Sequence, residues 1–153
     1  YASSFDDGAL SNMPVTLTHI ALHVRDLSAC ITFYNDYCGM RICHDRIDQG
    51  KRVVWLAEPG KEQAFVMVLI PGGRGSEQAP DDFSHLGFAL PSRQAVDEIA
   101  SRARRAGIIA WDIRDEAPPV GYYCGVRDPD GNFVEFSYGQ ELGGAVLEAR
   151  ATP

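Results

Sequence analysis

The sequence has no stretch that would cross a bilayer. Its longest apolar run, Ala64–Ile70, is seven residues, about a third of the ~20 that a membrane helix takes. Cys-x-x-Cys pairs are also missing: Cys30, Cys38, Cys43 and Cys124 are too widely spaced, which removes the zinc knuckle and the thioredoxin-type dithiol. Cys30 and Cys38 fall within one helical pattern, where a thiol serves as a small hydrophobe, so reduced cysteines in a cytoplasmic protein are expected. Long cationic runs do not occur either. Lys+Arg number 14 against 21 Asp+Glu, a net charge of −7, which disfavours nucleic acid and anionic membranes as partners. The short Arg102, Arg104, Arg105 cluster lies on a predicted helix and reads as a solvated face. The opening Tyr1–Gly8 is polar and acidic, without the apolar core of a secretory leader. Residues 1–13 are read as a flexible or non-native segment, with Met13 as the expected natural start, and residues 140–153 as a tail.

What is present is the composition of one globular domain. With 45% hydrophobic and 23% charged residues in 153, the chain is long enough to bury about two-thirds of its unfolded surface. Residues 15–24, Val-Thr-Leu-Thr-His-Ile-Ala-Leu-His-Val, alternate as a strand. Asp26 then offers an N-cap, Leu27, Cys30, Ile31, Tyr34 and Cys38 recur at helical spacing, and Gly39 supplies the stop. Strands are predicted at 40–45, 52–57 and 64–70, so the order is β-α-β-β-β. A breaker-rich linker, residues 71–82, follows.

The same order then recurs. Phe83–Leu90 reads as a strand; Ser92 caps a helix with Ala95, Val96, Ile99 and Ala103 on its apolar side, and Gly107 ends it. Strands at 108–113, 122–127 and 132–138 complete the second half, the last two joined by the turn Asp128-Pro-Asp-Gly131. His19-Ile-Ala-Leu matches His85-Leu-Gly-Phe 66 residues on, and Ala64–Ile70 matches Asn132–Tyr138 at 68. Repetition of both residues and element order points to duplication. The expected fold is therefore α+β, with a first module at 14–70 and a second at 83–139.

Strand alternation sorts the chemistry. Ile20, Leu22 and Val24 oppose His19, Ala21 and His23; Leu86, Phe88 and Leu90 oppose His85, Gly87 and Ala89; Val134 and Phe136 oppose Phe133, Glu135 and Ser137. The apolar faces suit the helices, and the others leave room for a ligand. A lone His is more often a satisfied structural group than a ligand. A carboxylate between Val134 and Phe136, however, is costly to bury without a cation. Two repeat-equivalent histidines and that carboxylate form a facial set, His19, His85 and Glu135, suited to a divalent metal (Fe²⁺, Mn²⁺, Zn²⁺ or Ni²⁺) with open positions. His23 and Tyr123 are candidate catalytic groups, with Tyr122 the alternative to Tyr123. Trp55, Phe65 and Phe133 are candidate apolar walls, and a pairing of His44 with Cys43 reads as accidental.

The run from His19 to Met40, together with His85-Leu-Gly-Phe-Ala-Leu and Arg127-Asp-Pro-Asp-Gly-Asn-Phe-Val-Glu135, resembles vicinal-oxygen-chelate proteins. These include glyoxalase I, extradiol dioxygenases, fosfomycin-resistance transferases and bleomycin-binding proteins. The resemblance spans about residues 15–139. It implies paired modules forming a curved mixed sheet around a metal cleft, with His19, His85 and Glu135 at the ligand positions. It also implies a homodimer acting on a small-molecule substrate chelated through adjacent oxygens. Glyoxalase I has a fourth ligand, a carboxylate on the last strand of the first module, and the sequence repeat puts Met67 there, with Glu62 close by. Three ligands favour a ring-cleaving dioxygenase or a thiol transferase over a glyoxalase-type lyase. The alternative is a metal-free protein of the bleomycin-resistance type that sequesters an antibiotic or metabolite.

Overall fold

The structure is a computed structural model that describes residues 15–140; the expectations for residues 1–13 and most of the tail lie outside them. Two copies of one pattern make up the chain. Strand β1 (His19–Val24) leads into helix α1 (Leu27–Cys38), then β2 (Arg41–Asp48), β3 (Lys51–Ala57) and β4 (Val66–Pro71). The second copy is β5 (His85–Ala89), α2 (Arg93–Ala106), β6 (Ile109–Glu116), β7 (Gly121–Arg127) and β8 (Phe133–Tyr138).

Both helices begin and end where the residue chemistry dictates. Asp26 accepts the Ala29 N–H at 2.9 Å and Ser92 accepts that of Ala95 at 3.1 Å, each satisfying an orphan donor of the first turn. Gly39 and Gly107 close the helices with φ of 67° and 69°, a left-handed conformation that glycine adopts without a Cβ penalty. Gln49 and Gly50, both with positive φ, turn β2 into β3.

Each module forms its own four-stranded mixed sheet, ordered β1-β4-β3-β2 and β5-β8-β7-β6. The helix crossover makes β1 parallel to β4 and β5 parallel to β8, while the remaining pairs are antiparallel. The α+β class and the paired modules are as expected. The difference is that the strands divide into two sheets rather than one. The strands also run past their expected ends on the outer edges, β2 to Asp48 and β6 to Glu116, because each stays paired with its hairpin partner up to the turn, Asp48 with Lys51 and Glu116 with Gly121.

One core serves both modules. Val24, Cys30, Tyr34, Leu56 and Leu69 from the first cluster with Val96, Ala100, Cys124, Val134 and Phe136 from the second. Polar contacts lock the halves further. Tyr34 Oη donates to Asp128 Oδ2 at 2.7 Å, and the Arg25 backbone N–H donates to Asp130 Oδ1 at 2.8 Å. Gly131 sits against the linker, where a side chain would collide with the Ser76 carbonyl. The arginine cluster on α2 is not simply solvated: Arg102 lies 3.9 Å over the Tyr37 ring and donates to the Asp36 carbonyl at 2.9 Å. Among the described residues no helix is long and apolar enough to cross a membrane.

Candidate functional site

With the apolar strand faces packed on the shared core, the opposite faces of the two sheets stay open. In the second module the register sets two rows across that face. One row is Gly87, Glu135, Gly125 and Trp111; the next is Ala89, Ser137, Tyr123 and Arg114. Gly125 explains the floor of the cavity, since a methyl there would run into the Trp111 ring. Trp111 instead lies flat on the strand, with its ring centroid 4.9 Å from that of Phe133 and 5.6 Å from that of His85. The result is a cavity of about 200 Å³ lined by His85, Glu135, Tyr123, Trp111, Arg114 and Phe83, together with Val120.

The two metal-ligand candidates of this module meet there. His85 Nε2 stands 3.5 Å from Glu135 Oε2. Each is held from behind. His85 Nδ1 lies 2.7 Å from the Phe83 carbonyl, a contact only an Nδ1–H can satisfy, so Nε2 is the ring nitrogen turned toward Glu135 and the cavity. Glu135, only 6% exposed, receives the Gln140 amide on Oε1 at 2.7 Å, so Oε2 is the free oxygen. An imidazole nitrogen and a buried carboxylate oxygen aimed at one point are donors that fit a divalent cation.

Tyr123 lies in the same cavity, and its hydroxyl donates to Glu116 Oε1 at 2.8 Å. Burial and that carboxylate push its pKa above the ordinary phenol value, so it stays a proton donor at neutral pH. Tyr122 points the other way and donates to Asp97 of α2 at 2.6 Å.

His19 is elsewhere. It lines a second cavity of about 440 Å³ on the first module, with Trp55, Phe65, Arg46, Glu62 and Val68. Its Nδ1 lies 3.0 Å from Thr18 Oγ1, so this histidine also has one ring nitrogen engaged locally. His23 lines neither cavity; its Nε2 sits 3.2 Å from the Pro71 carbonyl. Among the described residues no three His, Cys, Asp or Glu side chains of one chain converge as a metal site would require. The structure thus brings His85, Glu135 and Tyr123 together and leaves His19 and His23 apart from them.

A sequence profile of the Glyoxalase/Bleomycin resistance protein/Dioxygenase superfamily matches residues 16–136. The chain belongs to this superfamily. An uncharacterised protein of Pseudomonas aeruginosa, PA2024, is 61% identical over 131 residues, covering 86% of this chain and 94% of the relative. Among solved structures, a variant of the fosfomycin resistance protein FosX of Listeria monocytogenes, complexed with Mn(II) and 1S,2S-dihydroxypropylphosphonic acid, superposes with a TM-score of 0.66. That match has 20% identity and covers 91% of this chain and 98% of the other. The antibiotic-binding protein TnmS3 of a Streptomyces species matches with a TM-score of 0.58 and 19% identity, over 82% and 96%. At such identities the likeness is one of fold. Since superfamily folds host both metal-bound and antibiotic-binding proteins, function has to be argued from the residues.

On the superfamily's repeat, the ladders correct one assignment. His19 pairs with Val66, and His85 with Phe133. The first-module equivalent of Glu135 is therefore Val68, not Met67. Met67 points into the core at 2% exposure, and Val68 lines the cavity. Valine has no donor atom at all. Glu62 lies in the loop before β4, where it accepts the Gly60 N–H at 3.0 Å. Sequence reasoning also missed Trp111, Arg114 and Arg46. The Trp111–Gly125 complementarity was the one available signal, and it is visible only once the register is known.

Proposed function

We propose that this protein is a divalent-metal-dependent enzyme acting on a small substrate chelated through adjacent oxygens. His85 and Glu135 of one chain and His19 of a second copy would hold the metal. The observation that carries the reading is the His85–Glu135 pair, 3.5 Å apart with their other polar atoms already engaged. A homodimer accounts for the third ligand. His19 sits at the repeat-equivalent position of His85 on an open sheet face, and β2 is exposed along its whole length. Face-to-face closure of one copy's first module on the other's second module would cover both faces.

A bound divalent cation supplies Lewis-acid polarisation of a substrate's paired oxygens. The remaining work belongs to the chain. Trp111, Phe83 and Val120 form an apolar wall that excludes water beside the donors. Tyr123, kept protonated, offers its hydroxyl to a substrate oxygen in place of Glu116. With Val68 in place of a fourth ligand, the three-ligand set favours ring-cleaving oxygenation or thiol transfer over glyoxalase-type lyase chemistry.

Elemental analysis after metal loading and desalting tests this reading. The wild type is expected to retain close to one metal per chain, and His85→Ala to retain almost none. Full-length wild type that stays empty with each of Fe²⁺, Mn²⁺, Zn²⁺ and Ni²⁺ would overturn it and favour an antibiotic- or metabolite-binding role. Oxygen uptake with catechols against conjugation of fosfomycin to a thiol separates the two reaction classes.

A further inference from the structure

A second pair of repeat-equivalent side chains stands on the open faces, and the site described so far does not use it. On β6, Arg114 opposes Tyr123, two residues before Gly125. On β2, Arg46 opposes Val53, two residues before Trp55. Gly125 faces Glu135 and Trp55 faces Val68, so the two arginines occupy the same position of the repeat. Each lines its module's cavity.

The carboxylates of β6 are committed elsewhere. Asp112 pairs with Arg104, Asp115 pairs with Arg93 at 2.7 Å, and Glu116 accepts the Tyr123 hydroxyl. Among the described residues Arg114 makes no salt bridge, and its guanidinium lies beside the Tyr123 hydroxyl rather than on a carboxylate. Arg46 has an exposed contact with Asp48 at 3.4 Å and lies over the Trp55 ring. With Glu135 in the same cavity reserved for the metal, a guanidinium on the neighbouring row is free to receive an anion carried by the ligand. A planar guanidinium fork matches a carboxylate or a phosphonate.

We propose that Arg114 is a specificity-determining residue that binds an oxyanion carried by the substrate beyond its metal-chelating oxygens. The row of Arg114 lies one pleat from the row of Glu135, roughly 7 Å along the strands. That spacing suits an anionic group a few bonds from the chelating pair. The inference rests on the metal-chelating reading above and adds the substrate class: small oxyanions rather than neutral diols.

Titration calorimetry of the full chain loaded with Mn²⁺ tests it with two probes that share one oxygen pair. Catechol lacks a carboxylate, and 3,4-dihydroxybenzoate has one. The wild type is expected to bind the acid about tenfold more tightly, the range of a charge-assisted contact at a partly exposed site. Raised salt should shrink that margin. Arg114→Gln should erase the margin while leaving catechol affinity as it was, and Arg114→Lys should restore part of it. Equal binding of the two probes by the wild type, or an unchanged margin in Arg114→Gln, refutes the anion site and leaves the chelating reading standing. If metal-loaded wild type binds neither probe, the chelating reading falls and this inference falls with it.

Discussion

Replacing Tyr34 by Phe isolates the bond that ties the first helix to the turn ahead of the Glu135 strand. Tyr34 is fully buried, and burial beside Asp128 drives its phenol far above the ordinary range, so it acts only as a donor. The Asp128 carboxylate receives four donors. Tyr34 Oη is at 2.7 Å, the Asn132 backbone N–H at 2.8 Å, and the Asp130 N–H and Asn132 Nδ2 at 2.9 Å. Phe removes one of the four and leaves no cavity larger than an oxygen atom. The loss is therefore one charge-assisted hydrogen bond and not an orphaned charge, about 2 kcal/mol. For a chain of this size each kcal/mol moves the midpoint by about 3 °C, so Tm should fall by about 6 °C. Urea unfolding followed by fluorescence and by circular dichroism gives the free energy, with an unchanged slope showing that the fold is the same. A loss below about 0.5 kcal/mol, the level of a neutral surface change, would refute the latch.

Two further perturbations probe the cavity and the core. Gly125→Ala drives a methyl into the Trp111 ring and should cost about 1–3 kcal/mol while shifting tryptophan emission; unchanged emission with full stability would show that Trp111 does not lie on that strand. Burial raises Cys30 and Cys124 from 9.0 to about 12. At pH 8 a thiol reagent should therefore label exposed Cys43 and spare these two until the chain unfolds. The same shift lowers stability as pH rises from 9 toward 12, because the unfolded chain releases protons there that the fold retains. A flat stability profile over that interval would contradict the burial.

Much of this architecture was legible in the residues. Asp26, Gly39, Ser92 and Gly107 mark both helices through local chemistry that acts at the positions where it is written. The face assignment of His19, His85 and Glu135 followed from alternation, which runs unbroken through the parallel ladders of β1, β5 and β8. It failed where alternation fails. Bulges between Ile42 and His44, and between Trp111 and Arg114, reset the faces of the outer strands and hid the equivalence of Arg46 and Arg114. The Met67 assignment slipped by one residue because apolar likeness matched the last strands at an offset of 68, whereas the ladders His19–Val66 and His85–Phe133 set it at 67. The separation of His19 from His85 was beyond local reasoning altogether, since it depends on how two sheets share one core.

The central claim is that one metal site takes His19 from one copy and His85 with Glu135 from another, and subunit mixing tests it directly. His19→Ala and Glu135→Ala are each expected to lose the metal when purified alone. Mixed after subunit exchange, random pairing makes half the dimers hybrid, each with one intact and one doubly damaged site, so about a quarter of a metal per chain should return. No recovery in a mixture proven to contain hybrid dimers, or full metal retained by either variant alone, would contradict the account.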